Sequence, residues 1–309
     1  MLPIQLKLDQ NFFREEIRDG FLVTQDRKKI WAVELDLLAE FDRVCKKHNL
    51  TYFLDGGTLL GAVRHQGFIP WDDDVDVEMF REDYDRLLKI AKQEFKPPYF
   101  FQSAYSEEGY VRGHSQLRNS RTCGALPQEA DHVTFNQGMF LDIFVLDGVP
   151  EEIRLLEAEE NVLQKYSYRM RRIAYPRLYR NQKIKYMLKL LRKWICVKSG
   201  LLKWMYHRFE LCAKGYPDSD WVYLMTFYKK IGDVKALSRS WYSETEYVSF
   251  EMLRCPIPSG YKAILKAYYG TDFMVPEKVP STHGKLIVDT GRSYVDVLEE
   301  RRKKKNLCD

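Results

Sequence analysis

Residues Leu54 to Glu78 read "LDGGTLLGAVRHQGFIPWDDDVDVE". Four aspartates, Asp72, Asp73, Asp74 and Asp76, fall within five positions, and the chain then continues as a buried strand would. Crowded carboxylates repel one another and resist leaving water, so a positive partner is expected among them. "DVDVEMF" alternates, with Val75, Val77 and Met79 on one face and Asp74, Asp76 and Glu78 on the other. Two apart on an expected strand, Asp74 and Asp76 would project from one face about 7 Å apart at Cα. That spacing suits two oxygen ligands converging on one hard divalent ion, or straddling a pair of ions. Asp142 in "FLDIF" offers a third carboxylate, flanked by apolar residues as an inward-aimed acid on a neighbouring strand would be.

Upstream, Gly56-Gly57-Thr58 separates a short expected strand, "TYFLD", from an expected helix over "LLGAVRH". Two glycines let backbone N–H groups approach a phosphate closely, the helix start adds favourable partial charge, and Thr58 adds a hydroxyl. Arg64 and His65 lie between this bend and the acidic strand and could neutralise phosphate charge. An isolated Asp-x-Asp is more often a solvated turn, and an isolated glycine pair more often a plain bend. Together they point to metal-assisted phosphoryl chemistry, which needs both parts.

Outward from this stretch, residues 1–150 read as α/β. Ile30, Val33, Leu37, Leu38, Phe41, Val44 and Cys45 recur at helical spacing, "REDYDRLLKIAKQEF" reads as a helix, and "MFLDIFVLDGVP" as a later strand. Interleaved strands and helices predict a mixed sheet with flanking helices. Residues 151–215 read as a basic helical insertion, with Ile184, Met187, Leu188, Leu191, Trp194 and Ile195 forming an apolar stripe. Residues 216–309 mix short helices with Pro- and Gly-bearing loops.

With 45% hydrophobic residues in 309, a substantial core is expected and wholesale disorder is excluded. Six scattered cysteines without a C-x-x-C pair argue against a zinc site or disulfide framework and for a reducing compartment. No apolar run is long enough to span a bilayer, so a cytoplasmic protein is expected. The net charge of +5 is unevenly spread: from Asn161 to Phe209 there are fourteen Lys and Arg and no acid. Removing these fourteen from 49 leaves 35 basic residues against 44 acidic ones, so the basic character belongs to one region. An apolar stripe flanked by cations could lie on an anionic membrane surface, or pack on the catalytic domain with its cations solvated. No nucleic-acid reader motif accompanies the charge, so no nucleic-acid partner is expected.

"YFLDGGTLLGAVRHQGFIPWDDDVDV" resembles the LicD family, the cholinephosphotransferase-like enzymes related to fukutin and fukutin-related protein, within the nucleotidyltransferase-fold superfamily. "QLRNSRT" (Gln116 to Thr122), "FLDIFVLDGVP" (Phe140 to Pro150) and "YYGTDFMVPEKVPSTHG" are supporting matches; the last departs from the relatives' pattern around His283. By that resemblance Gly56, Gly57 and Thr58 contact phosphate, and Asp74, Asp76 and Asp142 hold Mg2+ or Mn2+ and carry catalysis. Arg64, His65 and Arg118 complete the expected donor-binding set. The resemblance implies transfer of a phospho-head group, such as phosphocholine, from a CDP-linked donor such as CDP-choline. The acceptor would be a hydroxyl of a cell-surface glycan or its lipid-linked precursor, at the inner face of the cytoplasmic membrane, with CMP released. The rival readings are a nucleotidyltransferase that releases pyrophosphate and a non-catalytic glycan-assembly protein. A choline head group would be held by aromatic faces. Tyr52, Trp71, Tyr268 and Tyr269 could supply them, although ordinary packing is the commoner duty of such residues.

Overall fold

Thr24 accepts a hydrogen bond from the Arg27 amide, capping the helix that the apolar repeat at 30–45 requires. In the computed structural model, which describes residues 2–130, 133–176, 183–226, 236–277 and 286–306, that helix is the first major element. His283, Arg177 and Arg180 lie outside the described residues. A small hairpin, β1 (Glu16–Arg18) and β2 (Phe21–Val23), precedes α1 (Gln25–Lys47). There follow β3 (Phe53–Leu54), α2 (Gly56–His65), β4 (Asp76–Phe80), α3 (Arg81–Glu94) and β5 (Tyr99–Gln102). Next come β6 (Ser115–Asn119), β7 (Cys123–Ala125), the single turn α4 (Pro127–Ala130) and β8 (Met139–Gly148). Three helices, α5 (Ile153–Ala174), α6 (Lys183–Lys198) and α7 (Leu201–Ala213), lead to β9 (Trp221–Tyr223) and β10 (Leu237–Ser238). The chain closes with β11 (Thr245–Phe250), β12 (Leu253–Pro258), α8 (Tyr261–Tyr269), β13 (Ile287–Asp289) and α9 (Tyr294–Asn306).

The main sheet is mixed, as the alternation of elements predicts, and has seven strands in the order β10-β9-β8-β4-β3, with β6 also on β8 and β5 on β6. β8 is its spine: ten residues, all buried. It runs parallel to β4 and antiparallel to β6 and β9. Buried on both faces, such a strand reads as a near-continuous apolar run, and that is how "MFLDIFVLDG" reads. The acid within it, Asp142, is thereby committed to the interior.

The centre of β4 is buried on both faces. The strand starts at Asp76, so Asp74 precedes it, and Glu78 on its polar face is fully buried. The reason is topological: β4 lies between β3 and β8, and the later segment carrying Tyr242 and Tyr268 covers its second face. Burial, followed by the charge of Asp55, holds the Glu78 carboxyl well above the carboxylate range.

The strands after the helices join the sheet begun before them, since β9 pairs with the end of β8. α5 and α7 have a core of their own, including Leu156, Leu163, Met170, Leu202, Tyr206 and Phe209, which also takes in Val149 and Tyr223 from the sheet's edge. Arg81 at the start of α3 ties these layers. Its guanidinium donates twice to Asp147 of β8, at 2.7 Å each, and once to Glu210 of α7 at 3.2 Å.

Candidate active site

The bend between β3 and α2 requires glycine for two separate reasons. Gly56 has φ +53°, in the left-handed region where a side chain is strained. At Gly57 an added Cβ would stand 2.8 Å from Oδ2 of Asp72, so that carboxylate lies over the first turn of α2. The helix N-terminus favours negative charge there. Thr58 is buried, and its hydroxyl oxygen accepts the Asp76 amide at 2.9 Å. The Asp55 amide donates to the Asp76 carbonyl at 3.0 Å, so the glycine bend and the start of β4 are clamped together.

Opposite the bend, Asp72, Asp73 and Asp74 place one ligand oxygen each within 4.8 Å of one another. α1 fixes this segment from behind, because Arg27 Nη1 and Trp31 Nε1 both donate to the Asp72 carbonyl, at 2.8 and 2.9 Å. Asp76 is the direct register partner of Asp142 across the parallel β4–β8 pair. The Asp142 amide continues that ladder to the Val75 carbonyl at 3.0 Å. Side chains at one register position of adjacent strands share a face, so Asp76 and Asp142 lie on one face of the sheet, beside the Asp72–Asp74 segment that leads into β4.

Asp142 is oriented by β6 and the residue before it. Gln116 Nε2 donates to its Oδ1 at 2.6 Å, and His114 Nε2 lies 3.2 Å from the same atom. Burial lowers the His114 pKa, which favours the neutral ring. Arg118 was expected to bind phosphate and is found in another position. Its guanidinium is 1% exposed and donates to Gln102, to the Gly138 carbonyl and to Oε1 of Gln116, while resting on the Phe140 ring. Through Gln116 it is linked to Asp142. The cause of its placement is β6 itself, an interior strand paired on both sides and buried along its length. Burial brings the Arg118 pKa down to about 10, which leaves it charged at neutral pH.

Arg64 and His65, in the last turn of α2, also have protein partners. Arg64 Nη1 donates to the carbonyls of Phe273 and Val275, at 3.0 and 3.3 Å, and His65 Nε2 lies 2.5 Å from Asp19. Arg64 therefore holds the segment after α8 against α2. The end of α8, just before that segment, brings in Tyr269, whose hydroxyl would lie 3.9 Å from a Cβ on Gly56. Burial first, then Asp55, Asp76, Asp72 and Asp74, raise the Tyr269 pKa, so the phenol stays protonated among these acids. Of the four aromatics considered for a head group, Tyr269 is the one placed here. Tyr52 is a core residue whose hydroxyl donates to Asp42.

One carboxylate escaped the sequence reading. Glu34 of α1 is 2% exposed, and its Oε2 has no hydrogen-bond partner among the described residues. It lines a small cavity with Asp73, Asp74, Met139 and Phe140. Burial, then the charges of Asp74, Asp142 and Asp73, raise its pKa well above the usual carboxylate value. Burial and Asp74 do the same to Asp72. The signal lay in the pattern: Glu34 follows Ile30 by four and precedes Leu37 by three, an acid inside the apolar stripe of α1.

A half-buried, all-oxygen group of aspartates, with the Asp72 pKa raised and the unsatisfied Glu34 carboxylate beside it, fits a hard divalent cation such as Mg2+ or Mn2+. Residues 49–139 match the model of the LicD/FKTN/FKRP nucleotidyltransferase domain family. The lipopolysaccharide cholinephosphotransferase LicD of Haemophilus influenzae is 28% identical over 259 residues, covering 78% of this chain and 89% of that protein. The ribitol 5-phosphate transferase FKRP of Homo sapiens is 50% identical over 68 residues, 22% of this chain and 12% of its own length.

Proposed function

We propose that the chain, similar to the LicD/FKTN/FKRP nucleotidyltransferase domain over residues 49–139 and to LicD over most of its length, is a phosphotransferase moving a phospho-head group from a CDP-linked donor to a glycan hydroxyl. The observation that carries this reading is the register pairing of Asp76 with Asp142 on adjacent strands, with the glycine bend and the Asp72–Asp74 cluster beside them. Asp74, Asp76 and Asp142 would hold Mg2+ or Mn2+, with Asp72 and Glu34 next to them. When bound, the cation would neutralise the donor's diphosphate and the developing charge on the leaving CMP oxygen.

The protein's own groups do the rest. Amides of Gly56 and Gly57, at the positive end of α2, receive phosphate oxygens. Asp142, oriented by Gln116 and His114, accepts the proton of the acceptor hydroxyl. The acceptor oxygen then bonds to the phosphorus next to the head group, the bond from that phosphorus to the bridging oxygen breaks, and CMP leaves. Arg118 is a positioning residue that fixes Gln116 and through it Asp142. Arg64 and His65 shape the mouth by holding the 270–275 segment and the first loop. The acceptor would be a surface glycan or its lipid-linked precursor.

The test is product analysis with CDP-choline, CDP-ribitol, CDP-glycerol and CTP as donors, plus a glycan acceptor, with and without Mn2+. We expect cation-dependent CMP release from one CDP-linked donor. Asp76→Asn should lower turnover by about a hundredfold or more, since charge stabilisation at such a centre contributes several kcal/mol. Pyrophosphate released from CTP, or full activity in Asp76→Asn, would overturn the proposal.

A further inference from the structure

We infer that α6, with the start of α7, is the surface by which this protein lies on an anionic lipid bilayer. The apolar residues Ile184, Met187, Leu188, Leu191, Trp194 and Ile195 recur every three or four positions, which places them on one side of the helix. A stripe of that kind ordinarily faces a core. Here all six side chains are 49–80% exposed. The packing alternative set out from the sequence is therefore not the one adopted. α5 and α7 fill the core that α6 would otherwise have entered.

The flank of α6 beyond the stripe makes protein contacts: Cys196 is buried, and Arg192 donates to the Arg172 carbonyl at 2.8 Å. Trp204 and Leu201 at the start of α7 extend the apolar surface, at 57% and 43% exposure. Two tryptophans on such a surface suit the boundary between water and acyl chains, where an apolar ring with one polar N–H is at home.

Charge selects the occupant. The fourteen Lys and Arg between Asn161 and Phe209 include Lys185, Arg192, Lys203 and Arg208, all exposed, and no acid interrupts them. A second copy docking by this face would bring cations against cations, which opposes self-association. A surface of lipid phosphates meets both features, with the stripe entering the acyl boundary and the cations among the headgroups. A sixteen-residue helix is about 24 Å long. With its charges it suits lying in the interface plane, and no described helix is long and apolar enough to cross a membrane.

The experiment is vesicle sedimentation of the full chain, with phosphatidylcholine alone or mixed with phosphatidylglycerol, together with tryptophan emission. We expect binding and a blue shift with the anionic mixture, both reduced by high salt. Paired Leu191→Glu and Trp194→Glu changes should weaken binding about tenfold or more, and Lys185→Glu should weaken it without altering the stripe. All three side chains face water, so circular dichroism and the thermal midpoint should stay unchanged. Absence of binding to anionic vesicles would overturn the inference. So would binding indifferent to these substitutions, or a stable dimer that they dissociate. The measurement uses no donor or acceptor, so its failure would leave the catalytic proposal standing.

Discussion

Asp72 and Glu34 both carry carboxyl pKa values pushed well above the normal range, chiefly by burial and next by neighbouring aspartates. A carboxyl must lose its proton before it can act as a ligand, so at the proposed metal site these raised values would set the pH dependence of cation binding. At low pH the protons stay on and compete with the ion; as pH rises they are displaced more easily. Mn2+ affinity, followed by calorimetry or electron paramagnetic resonance, should therefore increase from pH 6 to 8, with proton release measured in buffers of different ionisation enthalpy. Glu34→Gln should flatten that dependence, and an unchanged slope would exclude Glu34 from the site. Gly57 belongs to the same scale: a methyl group there would press on Asp72, so the glycine serves the acid across from it as much as the bend.

Among the elements, β4 and β8 carry Asp76 and Asp142, and α3 keeps the helical layer attached to them. Arg81 is nearly buried and shared between Asp147 and Glu210, so removing it leaves two buried carboxylates without their cation. Breaking a buried ion pair from one side costs about 3–5 kcal/mol. Arg81→Ala should lose stability on that scale in urea unfolding. Replacing all three partners with apolar residues should cost far less, because no charge would then be stranded. The Tyr105 hydroxyl also donates to Glu210, which couples the loop after β5 to the same junction.

For the molecule as a whole, the pH range of stability has a marker in Glu159. Lodged in α5, its carboxyl is raised to about 7 by burial and then by Asp147. The folded state thus binds this proton more tightly than the unfolded chain, whose value is near 4.5. The associated stability is complete below about pH 4.5 and is lost as pH rises through 7. Glu159→Gln should match the native protein in acid and exceed it above pH 7, by on the order of 1 kcal/mol once solvent screening of a half-exposed group is allowed for. Thermal midpoints of the two proteins across pH 4 to 8 would show the gap opening, and parallel curves would disprove it.

Much of this was readable before any coordinates. The alternation at 75–79, the glycine pair and the apolar run around Asp142 announced two strands and a bend, because period and backbone freedom are local properties. The mixed sheet with flanking helices followed from the order of those elements. Three things lay beyond the chain's local pattern. The alternation places Glu78 on the face of the acids without showing its burial, because the covering of β4 comes from residues more than 150 positions later. Arg118 read as a free cation until β6 proved to be an interior strand. The stripe on α6 had two outcomes of equal periodicity, and only the occupation of the core by α5 and α7 left it facing water. Local sequence determines which face of an element is apolar; which faces then meet depends on contacts between distant segments, and those exist only in the folded chain.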